Sequence, residues 1–152
     1  MTLAQQLAED MKEAMKAGDA FRLSVIRMLS AALHNKMIEN RGRGQAAPMT
    51  DEEGTAVLRT EAKKRRDAAL EFEKGGRREL AEKEKREITV IEKYLPAELS
   101  DEEVKKTVKE AVARLGAGHN DFGRVMGEAM RTLKGRVSGE RVGEVVRRVL
   151  GA

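Results

Sequence analysis

The chain has 152 residues, 30 Lys and Arg against 26 Asp and Glu, a net charge of +4, and only 3% aromatic residues. A composition so poor in aromatics and so rich in charge suits helices with Leu, Ala, Val and Met seams, and argues against a β-sandwich core. The absence of Cys removes disulfides, thiolate nucleophiles and thiolate metal sites, and no stretch approaches the roughly 18 apolar residues of a membrane span.

Helical periodicity runs through the chain. Thr2 with Gln5 forms a capping box, and Leu3, Leu7, Met11 and Ala14 make one apolar stripe after it. Gly18-Asp19 interrupts. A second helix carries Phe21, Val25, Met28, Leu29, Ala32 and Leu33 on a wide arc with Ile26 on its edge, the pattern of the most buried helix. The segment from Arg41 to Pro48 reads as a flexible loop. Thr50 with Glu53 caps a third helix to about Lys74, and Gly75-Gly76 breaks it. A fourth, from about Glu79 to Tyr94, sets Leu80, Ile88 and Ile91 on one side.

Leu95-Pro96 marks a boundary, because proline disfavours helix at the residue before it. Two domains are expected, residues 1–96 and 97–152. The second opens on a Ser100–Glu103 capping box, with Val104, Val108, Ala111, Val112 and Leu115 as the stripe and Gly116 as terminator. Asp121 precedes a sixth helix with Phe122, Val125, Met126, Ala129, Met130 and Leu133, ended by Gly135. Ser138 precedes a seventh with Val142, Val145, Val146, Val149 and Leu150. The expected fold is therefore all-α: a bundle of about four helices joined to a small three-helix module.

Residues 1–15 place Glu9, Asp10, Lys12 and Glu13 inside a helical pattern, unlike the apolar stretch of a signal peptide. With no cysteine to staple it, the simplest expectation is a soluble cytoplasmic protein with no membrane contact.

Ordinary catalytic and metal-binding constellations are missing. His34 lies mid-helix and His119 in a turn, neither at metal-site spacing, and no nucleophile elbow or P-loop is present. No catalytic residue, metal or cofactor is expected. Lys63-Lys64-Arg65-Arg66 resembles a basic patch, yet at about 100° per residue the four charges diverge. Arg59, Lys63 and Arg66 gather on one side. Arg65 falls in line with Leu58, Ala62, Ala69 and Phe72, so it should either pair with a carboxylate or lie under a domain contact.

The C-terminal module is the more suggestive part. Arg124 and Arg131 are seven apart, opposite the apolar face of the sixth helix; Arg141 and Arg148 repeat that spacing on the seventh. Between them lies Lys134-Gly135-Arg136, a basic turn whose glycine admits another backbone. Exposed arginines at such a corner suit phosphate contacts, and a solvated charged face is the plainer reading. Gly123 and Gly127 form a small-residue face that suggests a close helix crossing.

The run Asp121-Phe-Gly-Arg-Val-Met-Gly-Glu-Ala-Met130, with Leu133-Lys-Gly-Arg136 and Val142-Gly-Glu-Val-Val146, resembles the tail module of the GatB/YqeY family. Arg22 to Leu29, Lys64 to Asp67 with Phe72, and Glu92 to Pro96 are similar to stand-alone YqeY-like proteins. The resemblance covers nearly the whole chain. It implies a helical bundle joined to a module like the tRNA-contacting tail of the B subunit of a glutamine-dependent amidotransferase. That larger enzyme has carbon–nitrogen ligase activity with glutamine as amide donor, and this chain lacks its kinase-like body and its amidase. The implied role is a non-catalytic accessory that binds tRNA or other structured RNA. A helical adaptor docking on an amidotransferase or aminoacyl-tRNA synthetase is the alternative, and a component required for amidotransfer is a third reading.

Overall fold

A computed structural model describes residues 1–45, 47–133 and 136–151. Among these residues the architecture is all-α, with seven helices and no strand. The chain divides into two compact units, Met1–Leu95 and Pro96–Ala152.

The first unit holds α1 (Leu3–Ala17), α2 (Ala20–Gly42), α3 (Asp51–Lys74) and α4 (Arg78–Glu92). Reciprocal capping boxes open α1 (Thr2 with Gln5) and α3 (Thr50 with Glu53). Each box satisfies two backbone donors that a helix start leaves without partners. Gly18 ends α1 at φ 67°, a left-handed geometry that favours glycine, and Asp19 at once caps α2 by accepting from the Arg22 N–H at 3.0 Å. Leu7 and Ala14 from α1, Val25, Ile26, Leu29 and Leu33 from α2, Leu58 and Ala62 from α3, and Ile91 from α4 share one core. Gly54 brings α3 close: a Cβ there would lie 3.1 Å from a Leu3 methyl and 3.7 Å from one of Leu33.

Three details depart from the pattern-based reading. The second helix runs on to Gly42, through the start of the expected loop. Ile26, expected at the edge of its arc, is fully buried, because α2 packs against α1, α3 and α4 together. On α4 the inward residue near the start is Ala81, 1% exposed, whereas Leu80 is 39% exposed and Tyr94 lies beyond the helix end. The small residue allows the two helices of the α3–α4 hairpin to approach there.

The second unit is α5 (Asp101–Leu115), α6 (Phe122–Leu133) and α7 (Gly139–Leu150), each packed on the other two. Ser100 and Glu103 form the capping box of α5, Gly116 closes it at φ 59°, and Ser138 caps α7. Val104, Val108 and Ala111, Val125, Ala129 and Leu133, and Val142, Val145, Val146 and Leu150 form a separate core with Val137. Fully burying a Val or Leu side chain stabilises by about 1.5–3 kcal/mol, which suits a small unit that has no disulfide. No helix among the described residues is long and apolar enough to cross a membrane.

Candidate nucleic-acid interface

The inward set of α6, Val125, Ala129 and Leu133, is buried, so helical geometry turns the opposite arc to solvent. That arc carries Gly123, Arg124, Gly127 and Arg131, all exposed. A Cβ built on Gly123 or Gly127 meets nothing within 4 Å. The close helix crossing expected at these glycines is therefore absent within the unit: α5 and α7 both pack on the other side of α6, and the glycines leave a shallow strip of exposed helix beside the arginines.

The arginines on this strip have carboxylates beside them. Arg124 lies 3.3 Å from Asp121 with its side chain 58% exposed, and Arg131 lies 3.7 Å from Glu128 at 81% exposed. The Gly118 N–H, and after it Arg124, hold the Asp121 carboxyl below its usual range. Glu128 also accepts from Arg114 of α5 at 2.5 Å, so one largely covered carboxylate orients two guanidiniums from two helices. Sequence reasoning did not single out Arg114 or Glu128, because their partnership crosses helices and leaves no trace in either helix's own period.

The remaining positions separate. Arg141 turns inward upon its own unit, donating to Glu98 at 2.5 Å, Asp101 at 2.6 Å and the Leu99 carbonyl at 3.1 Å. It thereby fastens α7 to the start of α5. Arg148 lies 3.8 Å from Glu144 and also acts on Asp101 by its charge. Arg136 is exposed and its charge reaches Glu103. Lys134 and Gly135 lie outside the described residues. Arg124 and Arg131 thus share a face with each other; Arg141 and Arg148 lie towards the acidic start of α5.

Arg65 lies in the first unit and is 9% exposed. Its guanidinium donates to Glu61 at 2.8 Å and to Glu87 at 3.0 Å, and also reaches the Met28 sulfur. It is an ion pair within that unit. Of its neighbours in the basic run, Lys64 shares Glu61 with it and Arg66 goes to Glu92. His34 and His119 are exposed, and no group of three His, Cys, Asp or Glu among the described residues is placed to hold a metal ion.

The profile of the Yqey-like protein family matches residues 4–150. The chain belongs to the Yqey-like family. Three fungal proteins named "Altered inheritance of mitochondria protein 41, mitochondrial" are similar to it. The one from Pyrenophora tritici-repentis is 30% identical over 97% of this chain and 80% of its own length. That from Clavispora lusitaniae is 35% identical over 68% of this chain and 59% of its own. For Candida glabrata the figures are 34%, 59% and 47%, so the chain spans about half the length of these last two relatives. Their printed names are those of mitochondrial proteins, which overturns the cytoplasmic placement expected above. The physical reason is plain: a chain without cysteine is indifferent to redox compartment, so its composition could not separate the cytosol from the mitochondrion.

Proposed function

We propose that this Yqey-like protein is a non-catalytic accessory that binds structured RNA, tRNA in the first place, through the exposed face of α6. The observation that carries the reading is the pairing of Arg124 and Arg131 with the open glycines Gly123 and Gly127 on one face. A phosphate backbone can settle against helix surface where no side chain stands, and arginines on the same arc then reach its oxygens. Arg136 and Arg148 lie apart from this face, towards the acidic start of α5, where their charges act on Glu103 and Asp101. Arg141, already held by three acceptors, serves the architecture. No aromatic side chain is strongly exposed on this face, which supports backbone and shape readout over base stacking. The resemblance of α6 and α7 to an amidotransferase tail supports tRNA as the RNA class.

Binding of a labelled tRNA to the full chain, followed by anisotropy across a salt series, tests the reading. The double substitution R124Q/R131Q should weaken affinity about tenfold, as expected for lost phosphate contacts. Unchanged affinity would remove the α6 face from consideration. The same open strip also fits a partner helix, which favours an adaptor docking on an amidotransferase or synthetase as the second reading. A partner that remains bound to the chain after RNase treatment selects it.

A further inference from the structure

The outer end of the α3–α4 hairpin carries charge that the fold does not use. α2 begins at Ala20, and its Phe21 ring lies 4.2 Å from the Arg86 guanidinium. Further out, every residue from Glu73 to Leu80 is exposed. Ala69 and Ala81, 4% and 1% exposed, close the two helices on each other outside the shared core. Across this end runs Lys74-Gly-Gly-Arg-Arg78, three cations with no acid among them. Gly76 takes φ 71° in open space, so the turn presents backbone and basic side chains alone.

Glu79 follows Arg78 on the first turn of α4, and the acids that face the tip from the helix flanks, Glu73 and Glu82, are engaged elsewhere. Lys85 lies 2.5 Å from Glu73 and 3.4 Å from Glu82, and these are the carboxylates that border Arg78 in its surface cleft. Glu71 pairs only with Lys74, at 3.3 Å with both side chains about three-quarters exposed, a contact of little strength in water. Arg77 stands at the N-cap of α4 and makes no side-chain capping bond. Among the described residues, no ion pair or side-chain hydrogen bond holds Arg77 or Arg78.

We infer that this tip is a second phosphate-backbone contact for RNA, separate from the α6 face. Two planar guanidiniums and an ammonium around a glycine turn match the spaced oxygens of a phosphodiester chain. A lipid surface fits less well. Residues 74–78 include no apolar side chain, and the nearest exposed leucines diverge: Leu70 follows Ala69 and Leu80 precedes Ala81, which in antiparallel helices sets them on opposite faces of the hairpin.

The inference rests on the RNA-binding reading, though not on the α6 site, and one binding series on the full chain separates the two. Wild type, K74Q/R77Q/R78Q and R124Q/R131Q are titrated with the same labelled tRNA at several salt concentrations, with helicity and thermal unfolding checked for each. The tip variant should keep its fold, lose about tenfold or more in affinity, and show a log–log salt slope shallower by about 2–3, roughly one per phosphate contact removed. R77K/R78K, which keeps the charge, should retain most of the binding. Tip-variant binding equal to wild type, while R124Q/R131Q weakens, overturns the tip and leaves the α6 reading standing. Weakening by the tip variant alone supports the tip and removes the α6 site. No RNA binding by wild type even at low salt, or a tip-dependent association with anionic vesicles in its place, overturns the inference.

Discussion

Tyr94 donates its phenolic hydrogen to Asp10 at 2.5 Å, across 84 residues of sequence. The bond ties the segment after α4 to α1, and Arg22 approaches the same carboxylate at 3.6 Å. Burial, and after it the bond to Asp10, push the phenol up to about 12. Tyr94 is the only tyrosine and there is no tryptophan, so ultraviolet absorbance follows it alone. The native protein should ionise near 12 and the unfolded chain near the ordinary value of about 10. Because the folded pKa lies above the unfolded one, this group's contribution to stability is complete below about 10 and is lost as pH rises through about 12. Asp10→Asn should bring the native midpoint down; a native midpoint of 10 in the unmodified protein would contradict the contact.

Arg65 joins α3 to α4 through Glu87 and closes a turn of α3 through Glu61. Removing it leaves the largely covered Glu87 without its cation and Glu61 with Lys64 alone. Arg65→Met should destabilise the first unit by about 3 kcal/mol in urea unfolding. The triple change R65M/E61Q/E87Q should recover most of that loss. A single substitution as stable as wild type would show that the carboxylates find water or another partner at no cost.

Arg141 offers a separation of architecture from binding. Its bonds hold the Asp101 carboxyl below its usual range. A lowered folded pKa contributes stability above the usual carboxylate range, and that contribution is lost as pH falls through the folded value. In Arg141→Gln, acid unfolding should therefore begin at higher pH. Affinity for tRNA should stay within about twofold, since no phosphate contact is removed. A tenfold loss of affinity with unchanged acid unfolding would reverse the assignment.

Gly127→Ala should move stability and binding in opposite directions. A mid-helix glycine costs about 0.5–1 kcal/mol relative to alanine, and the new methyl meets nothing within 4 Å. The variant should unfold at higher temperature, yet bind RNA more weakly if the backbone approaches that strip. Higher stability with full affinity would keep ligand away from Gly127.

Local signals read well from sequence, and cross-helix ones did not. The boxes at Thr2, Thr50 and Ser100 each lie within four residues, and each opens its helix as expected. Ile26 and Leu80 were misjudged because burial there depends on which helices surround the position, which one helix's periodicity does not contain. Arg141 matched Arg148 in spacing, but its partners lie about forty residues upstream, beyond any pattern within α7. Gly123 and Gly127 show the same limit: i,i+4 glycines mark a smooth surface, and only the placement of α5 and α7 reveals that it is open. At Lys74-Gly-Gly-Arg-Arg78 only the glycines were read, as a helix break; that Arg77 and Arg78 lack partners depends on where Lys85 reaches.

The shared carboxylate of Glu128 has a consequence for how the two proposed contacts would respond to ions. Arg114, Arg124 and Arg131 carry their own anions in Glu128 and Asp121. When a phosphate displaces one of these acids, the freed carboxylate gathers a cation from solution, offsetting the cation released from the RNA. The α6 face would act as an ion exchanger with built-in counterions and a muted response to salt. Arg77 and Arg78 bring no such acid, so each phosphate they meet releases its counterion in full, leaving the hairpin tip the more salt-sensitive of the two.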